Sequence, residues 1–138
     1  MAAFDQRELA VITVELFVPD VDAAVRFYAD TLGFETLRVE RAQSDGAGIA
    51  SFAVVALGRA IILIAHESLV GHVGITAGSG EGISVRVMVD DVDALYARAR
   101  DAGATIVSDI DDRYYGLRDF SIRDPNGFHL RFAAPRRG

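Results

Sequence analysis

The sequence predicts an α+β fold made of two tandem βαβββ modules. Three observations carry this. Residues 12–23 (ITVELFVPDVDA) and 83–94 (ISVRVMVDDVDA) repeat one another, and such long-range self-similarity marks two copies of one supersecondary unit. Each copy begins with a β-branched run and continues into a helical period. After each helix come short apolar runs separated by glycine turns, one of them Asp124-Pro125-Asn126-Gly127.

In the first copy a strand is expected over Leu9–Val18. Asp20 then stands where a helix N-cap is wanted, and a helix follows over Val21–Leu32. Val21, Ala24, Val25, Tyr28 and Leu32 share one face, and Gly33 stops the helix. Strands are expected over Glu35–Glu40, Ala50–Ala56 and Ala60–Ala65, with turns at Ser44-Asp45-Gly46-Ala47-Gly48 and Leu57-Gly58-Arg59. In the second copy the strand is Ile83–Val89, the cap Asp91 and the helix Val92–Ala102. Val92, Leu95, Tyr96 and Ala99 share its face, with Gly103 as the stop. Strands follow over Thr105–Val107, Leu117–Arg123 and Phe128–Ala133. Tyr28 and Tyr96 read as core, as do Phe120 and Phe128. The chain is expected to form a single domain over 1–138: module 1 about 9–66, a glycine-rich linker 67–82 and module 2 about 83–134.

Composition narrows the function. The chain has 138 residues, 51% of them hydrophobic and 25% charged, as in ordinary globular domains. A net charge of −6 argues against sequence-independent nucleic-acid binding, which needs a basic surface. With no cysteine, neither a disulfide nor a thiolate is on offer. The start MAAFDQREL has no signal-type apolar stretch, and no apolar run approaches membrane-spanning length. A cytoplasmic protein without membrane or nucleic-acid partners is expected.

The paired units, the segment VPDVDAAVRFYADTLGF and the closing YYGLRDFSIRDPNGFHLRF together resemble the vicinal oxygen chelate superfamily, which includes glyoxalase I, extradiol dioxygenases and bleomycin-resistance proteins. The resemblance covers residues 9 to 134. It implies two βαβββ modules forming a deep cleft, commonly in a homodimer. Metal-dependent members carry ligands at positions that here are Thr13, Leu63, Ser84 and Arg131. Two hydroxyls, a leucine and an arginine do not suit a hard divalent ion. The expectation is therefore no metal and no cofactor.

Strand alternation selects the cleft residues. If Thr13, Ser84 and Arg131 face it, so do Glu15, Phe17, Arg86, Met88 and His129. Their neighbours Val14, Leu16, Val85, Val87, Leu130 and Phe132 are uniformly apolar and belong beneath the helices. Glu15 and Arg86 hold equivalent positions in the two copies, and either neutralise one another in a salt bridge or fix a polar group of a ligand. Arg131 is placed to pair with Glu15 or to meet a carboxylate or phenolate. His129 is either a hydrogen-bonded strand residue or a proton shuttle. Tyr114 and Tyr115 stand before a strand, where a flat ligand would stack on them. His66, Glu67 and His72 lack any register and make a poor metal cluster, and Asp111-Asp112-Arg113 reads as a solvated loop.

The ligand-binding set is thus Thr13, Glu15, Phe17, Leu63, Ser84, Arg86, Met88, Tyr114, Tyr115, His129 and Arg131. The leading expectation is a homodimeric protein that sequesters a small, largely aromatic molecule without a metal, as bleomycin-resistance-like members do. The alternative is a lyase, isomerase or dioxygenase-type enzyme with an atypical site, using Glu15 and His129 for acid–base chemistry. A third reading is a structural or regulatory domain with a vestigial cleft.

Overall fold

The two helices start alike. Oδ1 of Asp20 accepts the amide hydrogen of Ala23 at 2.9 Å, and Oδ1 of Asp91 that of Ala94 at 3.0 Å. Each aspartate thereby satisfies an amide with no partner inside its helix. The structure, a computed structural model, describes residues 5–41, 48–70 and 80–137. The chain divides into two compact units, Met1–Gly78 and Ser79–Gly138, each an α+β module. The expected turn residues Ser44–Ala47, His72 and most of the linker fall outside the described residues.

In the first unit the strands are β1 (Val14–Val18), β2 (Glu35–Arg41), β3 (Ala50–Leu57) and β4 (Ala60–His66). They form a sheet in the order β1-β4-β3-β2, with β1 parallel to β4 and the other pairs antiparallel. Helix α1 (Val21–Arg26) runs into a π-helical turn at Phe27–Thr31. Val21, Ala24, Tyr28 and Leu32 are buried on it, and Tyr28 meets Phe27 and Phe34 edge-on at 5.5 and 5.3 Å. The helix expected over Val21–Leu32 is thus present, its second half wound as a π-helical turn.

The second unit repeats the plan with β5 (Ser84–Met88), α2 (Val92–Asp101), β6 (Thr105–Asp112), β7 (Leu117–Arg123) and β8 (His129–Pro135), in the order β5-β8-β7-β6. Phe120 and Phe132 are fully buried and stack at 5.4 Å, with Tyr96 of α2 edge-on to Phe120 at 5.1 Å. The closing turn is held by Asp124, whose Oδ1 accepts amide hydrogens from Asn126 and Phe128, both at 2.9 Å. Gly127 takes a φ of 89° there, the left-handed region that glycine enters without a steric penalty. Among the described residues, no helix is long and apolar enough to cross a membrane.

Two boundaries depart from expectation for physical reasons. β1 begins at Val14, because Gln6–Leu9 form a 3-10 turn closed by a capping box: Asp5 accepts from the Arg7 amide and Glu8 from the Asp5 amide. Asp5-x-x-Glu8 is the sequence signature of such a start. β6 runs on to Asp112, because register irregularities keep it paired with β7. Asp111 and Asp112 are thus strand residues and not a solvated loop, and Arg113, expected in the same loop, is tied into module 2.

Candidate functional site

The non-helical face of each sheet is a set of rows, one residue per strand. Because side chains alternate, residues that pair across strands project to the same side. In module 1 the middle row is Glu15, Leu63, Val54 and Arg38, and the next is Phe17, Ala65, Phe52 and Glu40. In module 2 the corresponding rows are Arg86, Arg131, Ser121 and Ser108, then Met88, Ala133, Asp119 and Asp111. A further row there holds Ser84, His129, Arg123 and Thr105. The opposite face carries Leu16, Val18, Val87, Leu130 and Phe132, all buried. The alternation thus has the parity expected of it.

The two copies use this face differently. That of module 1 is mostly apolar: Val54, Ala56 and Ile61 are buried, with Leu37, Phe52 and Leu63 packed against them. Leu63 therefore belongs to a hydrophobic cluster. Arg38 lies over the Phe52 ring at 5.3 Å and pairs with Glu8 of the N-terminal turn at 2.9 Å. Thr13 precedes β1 and is exposed, Phe17 is half-buried, and Glu15 is exposed with no ion pair or hydrogen bond among the described residues.

The face of module 2 is polar, and a carboxylate outside the expected set, Asp119, organises it. Asp119 is 3% exposed, which only specific partners make tolerable. Its Oδ1 accepts from Arg113 Nε at 2.7 Å, and its Oδ2 accepts from the Tyr115 hydroxyl at 2.5 Å. Arg113 also donates to Ser108 Oγ at 3.0 Å and to the Asp109 carbonyl at 2.8 Å. Burial by itself would raise the Asp119 carboxyl. The hydrogen bonds from Tyr115 and Arg113, with the charges of Arg113 and Arg131, outweigh it and hold the group below the usual carboxylate range. The bond to Asp119 holds the Tyr115 phenol above its ordinary value.

Arg131 joins this group from β8. Its Nη1 is 3.4 Å from the Tyr115 oxygen and 3.9 Å from Asp119 Oδ2, so Asp119 is its carboxylate partner within module 2. Its Nε is buried with no hydrogen-bond partner among the described residues. Arg86, beside it on β5, is exposed and has no ion pair or hydrogen bond among the described residues of module 2. Tyr115 is 45% exposed and Tyr114 97%, their rings edge-on at 5.2 Å, and Met88 is 46% exposed. Tyr115 is thus anchored by its hydroxyl with part of its ring free, whereas Tyr114 projects outward.

One row further on, Ser84 Oγ lies 2.7 Å from His129 Nδ1. Burial first, then the charges of Arg123 and Arg131, push the imidazole below its ordinary value, so it is neutral at pH 7. Strand alternation in LRDFSIR would have placed Asp119 and Ser121 on the face of Arg131, and that signal was available in the sequence. The arginine from the next turn was not, since Arg113 is brought in by a chain reversal.

These residues do not fit the metal of the metal-dependent relatives. Ser84 is engaged with His129, and Arg131 puts a fixed positive charge where an anionic ligand would be needed. Among the described residues, no three of His, Cys, Asp and Glu gather closely enough to hold an ion. His66 instead accepts from the Ser68 amide at 3.1 Å, capping the turn Glu67–Leu69.

Residues 10–132 match the sequence profile of the Glyoxalase/Bleomycin resistance protein/Dioxygenase superfamily, and the chain belongs to that family. Among curated proteins it is 28% identical over 129 residues to an uncharacterized protein of Mycobacterium bovis, covering 91% of this chain and 84% of that one. A Mycobacterium tuberculosis protein, also uncharacterized, matches at 28% over 75% of its length. Of solved structures, TioX from Micromonospora sp. ML1 superposes with a TM-score of 0.73 at 29% identity, covering 92% of this chain and 99% of TioX. A glyoxalase/bleomycin resistance protein/dioxygenase from Nocardioides has the same fold, with a TM-score of 0.67 at 23% identity over 94% of this chain and 85% of its own.

Proposed function

We propose that this protein binds a small, largely aromatic organic molecule without a metal and holds it unchanged, as a cytoplasmic homodimer of the resistance-like kind. The observation that carries the reading is the chemistry of module 2 at the metal-ligand positions. Ser84 is bonded to His129, and Arg131 is seated against Tyr115 and Asp119. The half-exposed ring of Tyr115 and the exposed Met88 add apolar surface beside these polar groups, the mixture found in small-molecule sites.

The enzyme reading has one observation in its favour. A neutral imidazole hydrogen-bonded to a serine is equipped for proton transfer, provided a substrate proton comes within reach.

Elemental analysis of the purified protein, followed by thermal-shift screening against aromatic antibiotics and metabolites, separates the two. Sequestration predicts substoichiometric metal, stabilisation by a bound compound and its recovery intact. Stoichiometric transition metal, or a compound recovered chemically altered, overturns the proposal. Sedimentation at micromolar concentration reads the oligomeric state.

A further inference from the structure

Arg86 and Arg131 pair directly on the neighbouring parallel strands β5 and β8. Strands lie about 4.8 Å apart, so the two side chains leave the sheet side by side. Like charges placed directly opposite one another destabilise a sheet. The rest of their row, Ser121 and Ser108, carries no charge to offset them. In the next row Asp119 is the buried carboxylate, and Arg113 already meets it at 2.7 Å. The equivalent row of module 1 pairs the acid Glu15 with Leu63, so the arginine pair is particular to the second copy. In a chain of net charge −6, two guanidiniums thus stand side by side, Arg131 sharing Asp119 with Arg113 and Arg86 having no carboxylate partner among the described residues of module 2.

From this we infer that Arg86 and Arg131 form a receptor for the carboxylate of an aromatic acid. The proposal rests on the metal-free binding role above and names the class of ligand. A guanidinium presents a planar fork of donors that a carboxylate matches with two parallel hydrogen bonds. Tyr115 and Asp119 contact Arg131 through Nη1 alone, which orients the group and leaves its buried Nε without a partner among the described residues. The arene has its own surface. Arg131 lies 5.9 Å from the Tyr115 ring centroid, and Tyr114 stands edge-on to that ring, so a flat ring attached to the carboxylate meets the tyrosines as the carboxylate meets the arginines. His129 is the neutral neighbour on this face and adds a hydrogen bond without adding charge.

The test uses 2-naphthoate and its neutral counterpart 2-naphthamide, titrated by calorimetry into the full-length protein and its Arg86→Gln and Arg131→Gln variants. Naphthoate is expected to bind at least tenfold more tightly than naphthamide. Each substitution is expected to weaken naphthoate about tenfold, the loss of one charge-assisted hydrogen-bonded contact, and to leave naphthamide unaffected. Arg86→Gln has a second signature, because it removes one of two repelling charges from an exposed position. The unliganded variant should melt about 1 to 3 °C higher than the parent. Equal affinity for acid and amide overturns the carboxylate receptor while leaving the binding role intact. A lower melting temperature for Arg86→Gln overturns it as well, since Arg86 would then have a stabilising partner. Failure of both probes to bind overturns the receptor, and the binding role then stands or falls on the thermal-shift panel.

Discussion

Arg113 leaves the end of β6 and places Nε 2.7 Å from Oδ1 of Asp119, a carboxylate that β7 has carried out of solvent. Breaking such a pair from one side costs more than its net worth, because the abandoned charge stays desolvated. The two sides are unequal: Asp119 is 4% exposed through its side chain and Arg113 24%. Arg113→Ala should therefore lower unfolding free energy by about 3 kcal/mol. Asp119→Asn leaves an amide that still accepts and an arginine that reaches water, and should cost about 1 to 2 kcal/mol. Urea denaturation checks the order, and a larger loss for Asp119→Asn would contradict this account of the site.

The His129 imidazole sets a pH dependence of definite sign. Burial and the charges of Arg123 and Arg131 put its folded value below its unfolded one, so the unfolded chain binds the proton more readily. The contribution is complete above the unfolded value of about 6.5 and is lost as pH falls through the lower folded value. Stability should decline between pH 7.5 and 5.5, and His129→Gln should flatten that decline. Parallel denaturation curves at the two pH values measure it. An unchanged slope in the variant would assign the decline to other groups.

The residues that a sequence reveals are those whose role is set locally. Asp20 and Asp91 were legible as caps because a cap needs only a short polar side chain just before a helical period, and the strand parity of β1, β5 and β8 followed from alternation. What escaped depends on chain reversal. Leu9–Thr13 read as the start of β1 because β-branched Val11 and Ile12 lie there, yet the capping box of Asp5 and Glu8 closes a turn that ends at Leu9, and Val11 and Ile12 are exposed. Asp111, Asp112 and Arg113 read as a solvated loop because consecutive charges ordinarily are. Pairing with β7 instead extends the strand and delivers Arg113 to Asp119. The site centred on that carboxylate thus needed tertiary information at one residue and only a closer use of alternation at the others.

The duplicated caps provide a matched pair. Asp20→Ala and Asp91→Ala remove the same hydrogen bond from equivalent places, at 2.9 and 3.0 Å. Each should cost about 1 kcal/mol, and the two should agree within about 0.5 kcal/mol. Asp22, two residues past its cap, is bound by Arg41, and Asp93, two past the other, by Arg118, so each helix start keeps an ion pair when its cap is lost. A loss confined to one variant, read by thermal or chemical denaturation, would show that the two modules do not unfold as equivalents.

Gly80 and Gly58 separate backbone strain from crowding. Both take positive φ, 73° and 57°, where a β-carbon costs about 1 to 2 kcal/mol. At Gly58 the added carbon would meet nothing within 4 Å, so Gly58→Ala should show that strain alone. At Gly80 it would fall 2.5 Å from Cδ1 of Phe128, a distance no carbon pair tolerates. The ring must then swing away from the turn that precedes β8, the strand bearing His129 and Arg131. Gly80→Ala should thus be the more destabilising by about 1 kcal/mol or more, in the range of other overpacked sites. It should also shift the amide resonances of His129 and Arg131, which Gly58→Ala leaves in place. Equal losses in the two variants would mean that Phe128 yields freely, and that the turn exerts no hold on the strand it introduces.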